Sequence, residues 1–143
     1  MKIAAEWKVV ALAVVLIVAL TMAAGFAVKS AEQHAGAANQ VVWYAWLLAA
    51  VAVGWLVAGK GVLKALLAGA VFGLCAELLY YGAVIVGAYF NVFGVPITFG
   101  LVQPVETAKW IAIEAGVGAL RSAALAVLGA LAAIFVKKMR EAG

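Results

Sequence analysis

Seven of the ten Lys and Arg residues fall in three short patches: Lys2 and Lys8; Lys60 and Lys64; Lys137, Lys138 and Arg140. Four apolar segments separate those patches from one another and from two loops that hold few cations. A helix needs roughly 20 consecutive apolar residues to cross the hydrocarbon core of a bilayer. Basic residues collect on the cytoplasmic side of such helices. The alternation therefore describes a chain that threads a membrane four times.

The runs can be placed by counting. They cover residues 9–28, 41–59, 65–90 and 112–136 of a single 143-residue domain. The third is interrupted only by Glu77, the fourth carries Glu114 and Arg121, and residues 105–111 form a more polar approach to it. Composition agrees, with 69% hydrophobic residues, 11% charged residues and a mean hydropathy of +1.19. A water-soluble core of this size would leave far too much apolar surface exposed. None of the runs alternates polar and apolar residues, as the strands of a membrane barrel must. The expected fold is an all-α integral membrane protein, a four-transmembrane-helix bundle with a short apolar Gly/Pro-containing loop between helices 3 and 4.

Orientation follows from the charges. Only Lys29 and Lys109 oppose the seven clustered cations, which puts both termini in the cytoplasm of a multi-pass cell-membrane protein. Trp7 and Trp55 then fall near the inner surface, and Trp43, Tyr44, Trp46, Tyr89 and Trp110 near the outer one. The first run is longer than the roughly 7 to 15 residues of a signal-peptide core, so it is expected to be a retained helix.

Several function classes are disfavoured. A net charge of +4 dispersed in small patches is not the basic stripe of a nucleic-acid binder, so no nucleic-acid partner is expected. Cys75 is the single cysteine, which excludes an intramolecular disulfide and a cysteine metal cage. Its helical position is away from the glycine stripe of the third span, toward lipid. The chain has no Asp, one histidine in a polar loop (His34), and only Ser30 and Ser122 as serines. A serine or aspartate protease site cannot be assembled from that inventory, and no cofactor or metal is expected. The protein reads as non-enzymatic.

The informative residues are charges that lie where lipid should be: Glu77, Arg121 and Glu114. Such groups normally face protein or water and have partners, because an ion at the centre of a bilayer costs at least about 2.5 kcal/mol. Glu77 lies roughly 18 Å, and Arg121 roughly 24 Å, from the same surface at 1.5 Å per residue. That offset is within reach of two long side chains. On a helical wheel Gly69, Gly73, Ala76, Glu77, Tyr80, Val84 and Gly87 share one stripe of the third span. Thr107, Trp110, Glu114, Gly118, Arg121 and Leu125 share a face of the fourth. Glycines spaced by four let helix backbones approach closely in lipid. A charge ladder Glu77, Arg121, Glu114 between the third and fourth helices is therefore expected.

The stretch NVFGVPITFGLVQP is apolar, yet Gly94, Pro96, Gly100 and Pro104 forbid a continuous helix through it. It is expected to lie on the outer surface or to re-enter the bundle, where it offers a contact for a partner. The first two spans carry no charge and one aliphatic hydroxyl, Thr21, which suits packing better than permeation. The function expected is that of a subunit acting by helix packing in a larger or homo-oligomeric membrane assembly. Its partners would be membrane lipids and other membrane subunits or copies of itself. The alternatives are a small oligomeric transporter or channel using Glu77, Glu114 and Arg121 for an ion, proton or anionic solute, and a hydrophobic coat or filament subunit.

Overall fold

Apolar surroundings offer backbone N–H and C=O groups no outside partners, so each run must satisfy its hydrogen bonds internally, as a helix does. A computed structural model describes residues 4–30, 35–89 and 104–142 of the chain. Among them every regular element is helical: α1 (Ala5–Ser30), α2 (Ala35–Val57), α3 (Val62–Tyr89) and α4 (Pro104–Ala142). All four contain stretches long and apolar enough to cross a membrane. The protein is an all-α, multi-pass membrane protein built as a four-helix bundle.

Helix α4 differs most from the sequence expectation. It has 39 residues, about 58 Å of helix against a hydrocarbon core of about 30 Å. Pro104 is its first residue, where a missing N–H costs nothing. The polar approach 105–111 is thus part of the helix. Its far end, KKMREA, also stays helical, with Lys137 and Glu141 3.7 Å apart one turn from each other.

The reversal from α2 to α3 is short. One 3-10 turn, Ala58–Lys60, follows α2, and Gly61 then adopts φ +97°. That left-handed conformation is open to glycine without a Cβ penalty. The Gly61 N–H donates to the Ala58 carbonyl, and the Gly61 carbonyl accepts from the Ala65 N–H to begin α3. Nearby, Lys64 of α3 donates to Glu6 of α1 at 3.0 Å, so α1 and α3 start at one end of the bundle. Helices α2 and α4 finish there, since Trp46, Val51 and Gly54 of α2 meet Arg121, Gly129 and Ala126 of α4 respectively.

Helices α2 and α3 form the centre and touch each other and both flanking helices, whereas α1 and α4 do not touch among the described residues. The α1 flank is held by side chains. Val10, Val14 and Ile17, spaced as one helical stripe, pack with Val53, Val57 and Phe72. Phe72 is completely buried. Cys75 is half-buried and packs against this cluster, which corrects the expectation that it faces lipid. Position 75 is three residues beyond Phe72 and shares its side of α3.

Candidate functional site

The α4 flank is held by backbone proximity. Ala65, Gly69, Gly73 and Glu77 form a four-residue ridge on α3, and Gly118, Ser122, Ala126 and Ala130 form the facing ridge on α4; all eight are buried. A Cβ at Gly73 would strike the Gly118 carbonyl, and one at Gly69 would strike the Ser122 carbonyl and the Ala126 methyl. The same closeness joins α4 to α2, where a Cβ at Gly54 would overlap the Ala126 carbonyl and one at Gly129 the Val51 carbonyl. Small residues at this spacing let lipid-embedded helices gain close dispersion contact.

Glu77 stands at the end of the α3 ridge, and its charge is answered from α4. An Arg121 guanidinium nitrogen donates to Glu77 Oε1 at 3.0 Å. Gly118 makes the contact possible, since any Cβ there would meet the Glu77 side chain. The glutamate side chain is 8% exposed and the arginine 33%, so the pair lies at the edge of the bundle with its acid inward.

Aromatic rings from α2 complete the site. The Arg121 guanidinium lies 5.9 Å from the Trp43 ring centre and 5.7 Å from that of Trp46, within cation–π range. Trp46 in turn meets Tyr80 of α3 edge-on at 6.5 Å, and Tyr80 meets Tyr81 at 5.2 Å. The indole N–H of Trp46 is buried and has no acceptor among the described residues. Three helices therefore converge on one guanidinium.

Glu77 and Arg121 come together as expected, but the third member of the ladder does not join them. Glu114 is half-buried two turns before Arg121 on α4, and among the described residues it forms no ion pair. Trp110, assigned to the same face, is 55% exposed. Gly69, Gly73 and Gly118 pack as their spacing implies. Gly87 lies in α3, but its packing falls outside the described residues. Gly94, Pro96 and Gly100 also fall outside them.

Two features escaped the sequence reading. Trp43 and Trp46 were explained fully by the interfacial aromatic belt, although a spacing of three puts both on one helix face. Gly54 and Gly129 were also overlooked. Ala50 and Gly54 of α2 and Ala58 of the turn that follows it recur at four-residue spacing, the same signal that marked α3.

Among the described residues no group of three or more His, Cys, Asp or Glu side chains could hold a metal ion. No protein-family model, curated protein or solved structure matches the chain.

Proposed function

We propose that this chain is a non-enzymatic membrane subunit that works by helix packing within a larger or homo-oligomeric assembly, with both termini in the cytoplasm. The observation that carries the reading is the Glu77–Arg121 pair, whose charges are engaged with each other between α3 and α4 and roofed by Trp43 and Trp46. Such an arrangement fixes helix register, a use of buried ion pairs that serves specificity more than net stability. Outward surface supports association. Gly82 of α3 and Gly116 of α4 are exposed with open space beside them, so another helix can approach closely there. The orientation rests on the basic end of the bundle, where α1 and α3 begin and α2 and α4 finish.

The test is native mass spectrometry of the chain gently solubilised from its own membrane. A fixed complex with other membrane proteins, or a homo-oligomer that dissociates on Glu77→Gln or Arg121→Gln and re-forms in the double variant, is the expected result. A stable monomer unaffected by either change would overturn the reading.

One set of observations favours a second reading, a small oligomeric transporter or channel. Among the described residues Glu114 has no ion-pair partner and the buried Trp46 N–H has no acceptor, and the Arg121 side chain is one-third exposed. In that case Glu77→Gln leaves the oligomer intact and abolishes ion or solute flux into proteoliposomes.

A further inference from the structure

We infer that the end of the bundle where α2 turns into α3 is a docking surface for anionic phospholipid headgroups, gripped chiefly by the last turn and a half of α4. The inference rests on the membrane-spanning reading and adds a ligand class to it.

Charge complementarity comes first. The fold gathers Lys8, Lys60, Lys64, Lys137, Lys138 and Arg140 at this end, against the carboxylates Glu6 and Glu141. Each acid already has a lysine, Lys64 at 3.0 Å from Glu6 and Lys137 at 3.7 Å from Glu141. Lys8, Lys60, Lys138 and Arg140 form no ion pair among the described residues. Helix C-termini carry partial negative charge, and Lys137 and Arg140 also offset that of α4. Lys138 and Lys60 go beyond what the helix end requires.

Position then separates a lipid from other anions. Gly129 touches the backbone of Val51 and Trp55, so residues near 136 lie level with Lys60, and α4 runs on past the turn by roughly 8 Å. Along its outward side Leu128, Leu131, Phe135 and Met139 form an exposed apolar stripe. Lys138 lies roughly 60° from Phe135 on the helical wheel and so flanks that stripe. Trp7 and Trp55, both exposed, sit at the same end, where indoles favour headgroup depth. A cation on the rim of an apolar stripe matches a phosphate joined to acyl chains. A nucleic acid offers the phosphate without the chains.

The full-length protein is incorporated into nanodiscs of equal phosphatidylglycerol and phosphatidylcholine with identical acyl chains, and retained lipid is counted by native mass spectrometry at low and high salt. The expected result is enrichment of phosphatidylglycerol that falls roughly fivefold for each charge removed, in Lys138→Gln and again in Lys138→Gln/Arg140→Gln. Lys138→Arg retains the enrichment, and Lys109→Gln at the opposite end of α4 leaves it unchanged. Equal retention of the two lipids by the native chain, or undiminished enrichment in the double variant, overturns the inference alone. Extraction of the chain from vesicles by alkaline carbonate overturns it together with the membrane-spanning reading.

Discussion

The two flanking helices are attached to the same central pair by different means. Helix α1 brings Val10, Val14 and Ile17 against Val53, Val57 and Phe72, a seam of branched and aromatic side chains. Helix α4 presents glycine, serine and alanine, and its backbone meets the backbones of α2 and α3 directly. Burial of apolar side chains in a membrane gains little from water, because lipid is as apolar as leucine. Attachment strength then depends on contact distance and polar pairing, which α4 has in greater measure. Helix α4 is the structural keel of the bundle, and α1 is the helix that could exchange most easily.

Adding equal volume to both flanks should break that comparison most visibly. Gly54→Ala or Gly129→Ala forces one methyl group into a facing backbone carbonyl that cannot rotate away, at a cost of about 3 kcal/mol. Val14→Leu adds one methylene among side chains that can shift, at a cost of about 1 kcal/mol. Unfolding by SDS titration in bicelles reads both. Equal losses on the two flanks would sink the distinction.

The ion pair gives the next largest effect. Glu77→Gln leaves the Arg121 charge without its carboxylate, and Arg121→Gln leaves a buried acid without its cation. Each single change is expected to cost about 2 kcal/mol, below the full cost of breaking a buried pair because Arg121 is one-third exposed. The double variant should recover part of the loss, giving a coupling of about 1 to 2 kcal/mol in the same titration. Additive losses would mean that Arg121 is held mainly by Trp43 and Trp46.

These contrasts were legible in the sequence to different depths. Apolar length revealed four helices, while the Glu77–Arg121 contact followed from matched depth and helical faces, because an unpaired charge there is too costly to persist. Four-residue glycine spacing found the α3 ridge. The length of α4 was missed because the segments were bounded by apolarity, whereas Lys, Glu, Arg and Ala continue a helix into water readily. Glu114 was placed in the ladder from angle alone, and sharing a face two turns away does not bring two side chains into contact. The aromatic roof was hidden because Trp43 and Trp46 already had a sufficient explanation at the interface.

Trimming the α1 seam is expected to matter less. Val14→Ala removes two methyl groups from one layer of the stripe, at a cost of about 1 kcal/mol, and Ile17→Ala somewhat more. Hydrogen exchange should show α1 amides losing protection while those of α4 are unchanged. Protection lost across α4 as well would mean that the two flanks unfold as one unit.

The smallest effect belongs to Glu6→Gln, and it sharpens the comparison because its pair has the same length as the other. Both Lys64–Glu6 and Arg121–Glu77 close at 3.0 Å, but the Lys64 side chain is 55% exposed and the Arg121 side chain 33%. Water and salt around Lys64 screen its attraction, and exposed pairs contribute little. Glu6→Gln should leave the unfolding midpoint unchanged and raise exchange only in the first turn of α1. In 1 M salt, where charges are screened over about 3 Å, that local effect should vanish while the Glu77–Arg121 coupling persists. A coupling between Glu77 and Arg121 that faded equally with salt would place that pair in water, against the burial of Glu77 between α3 and α4.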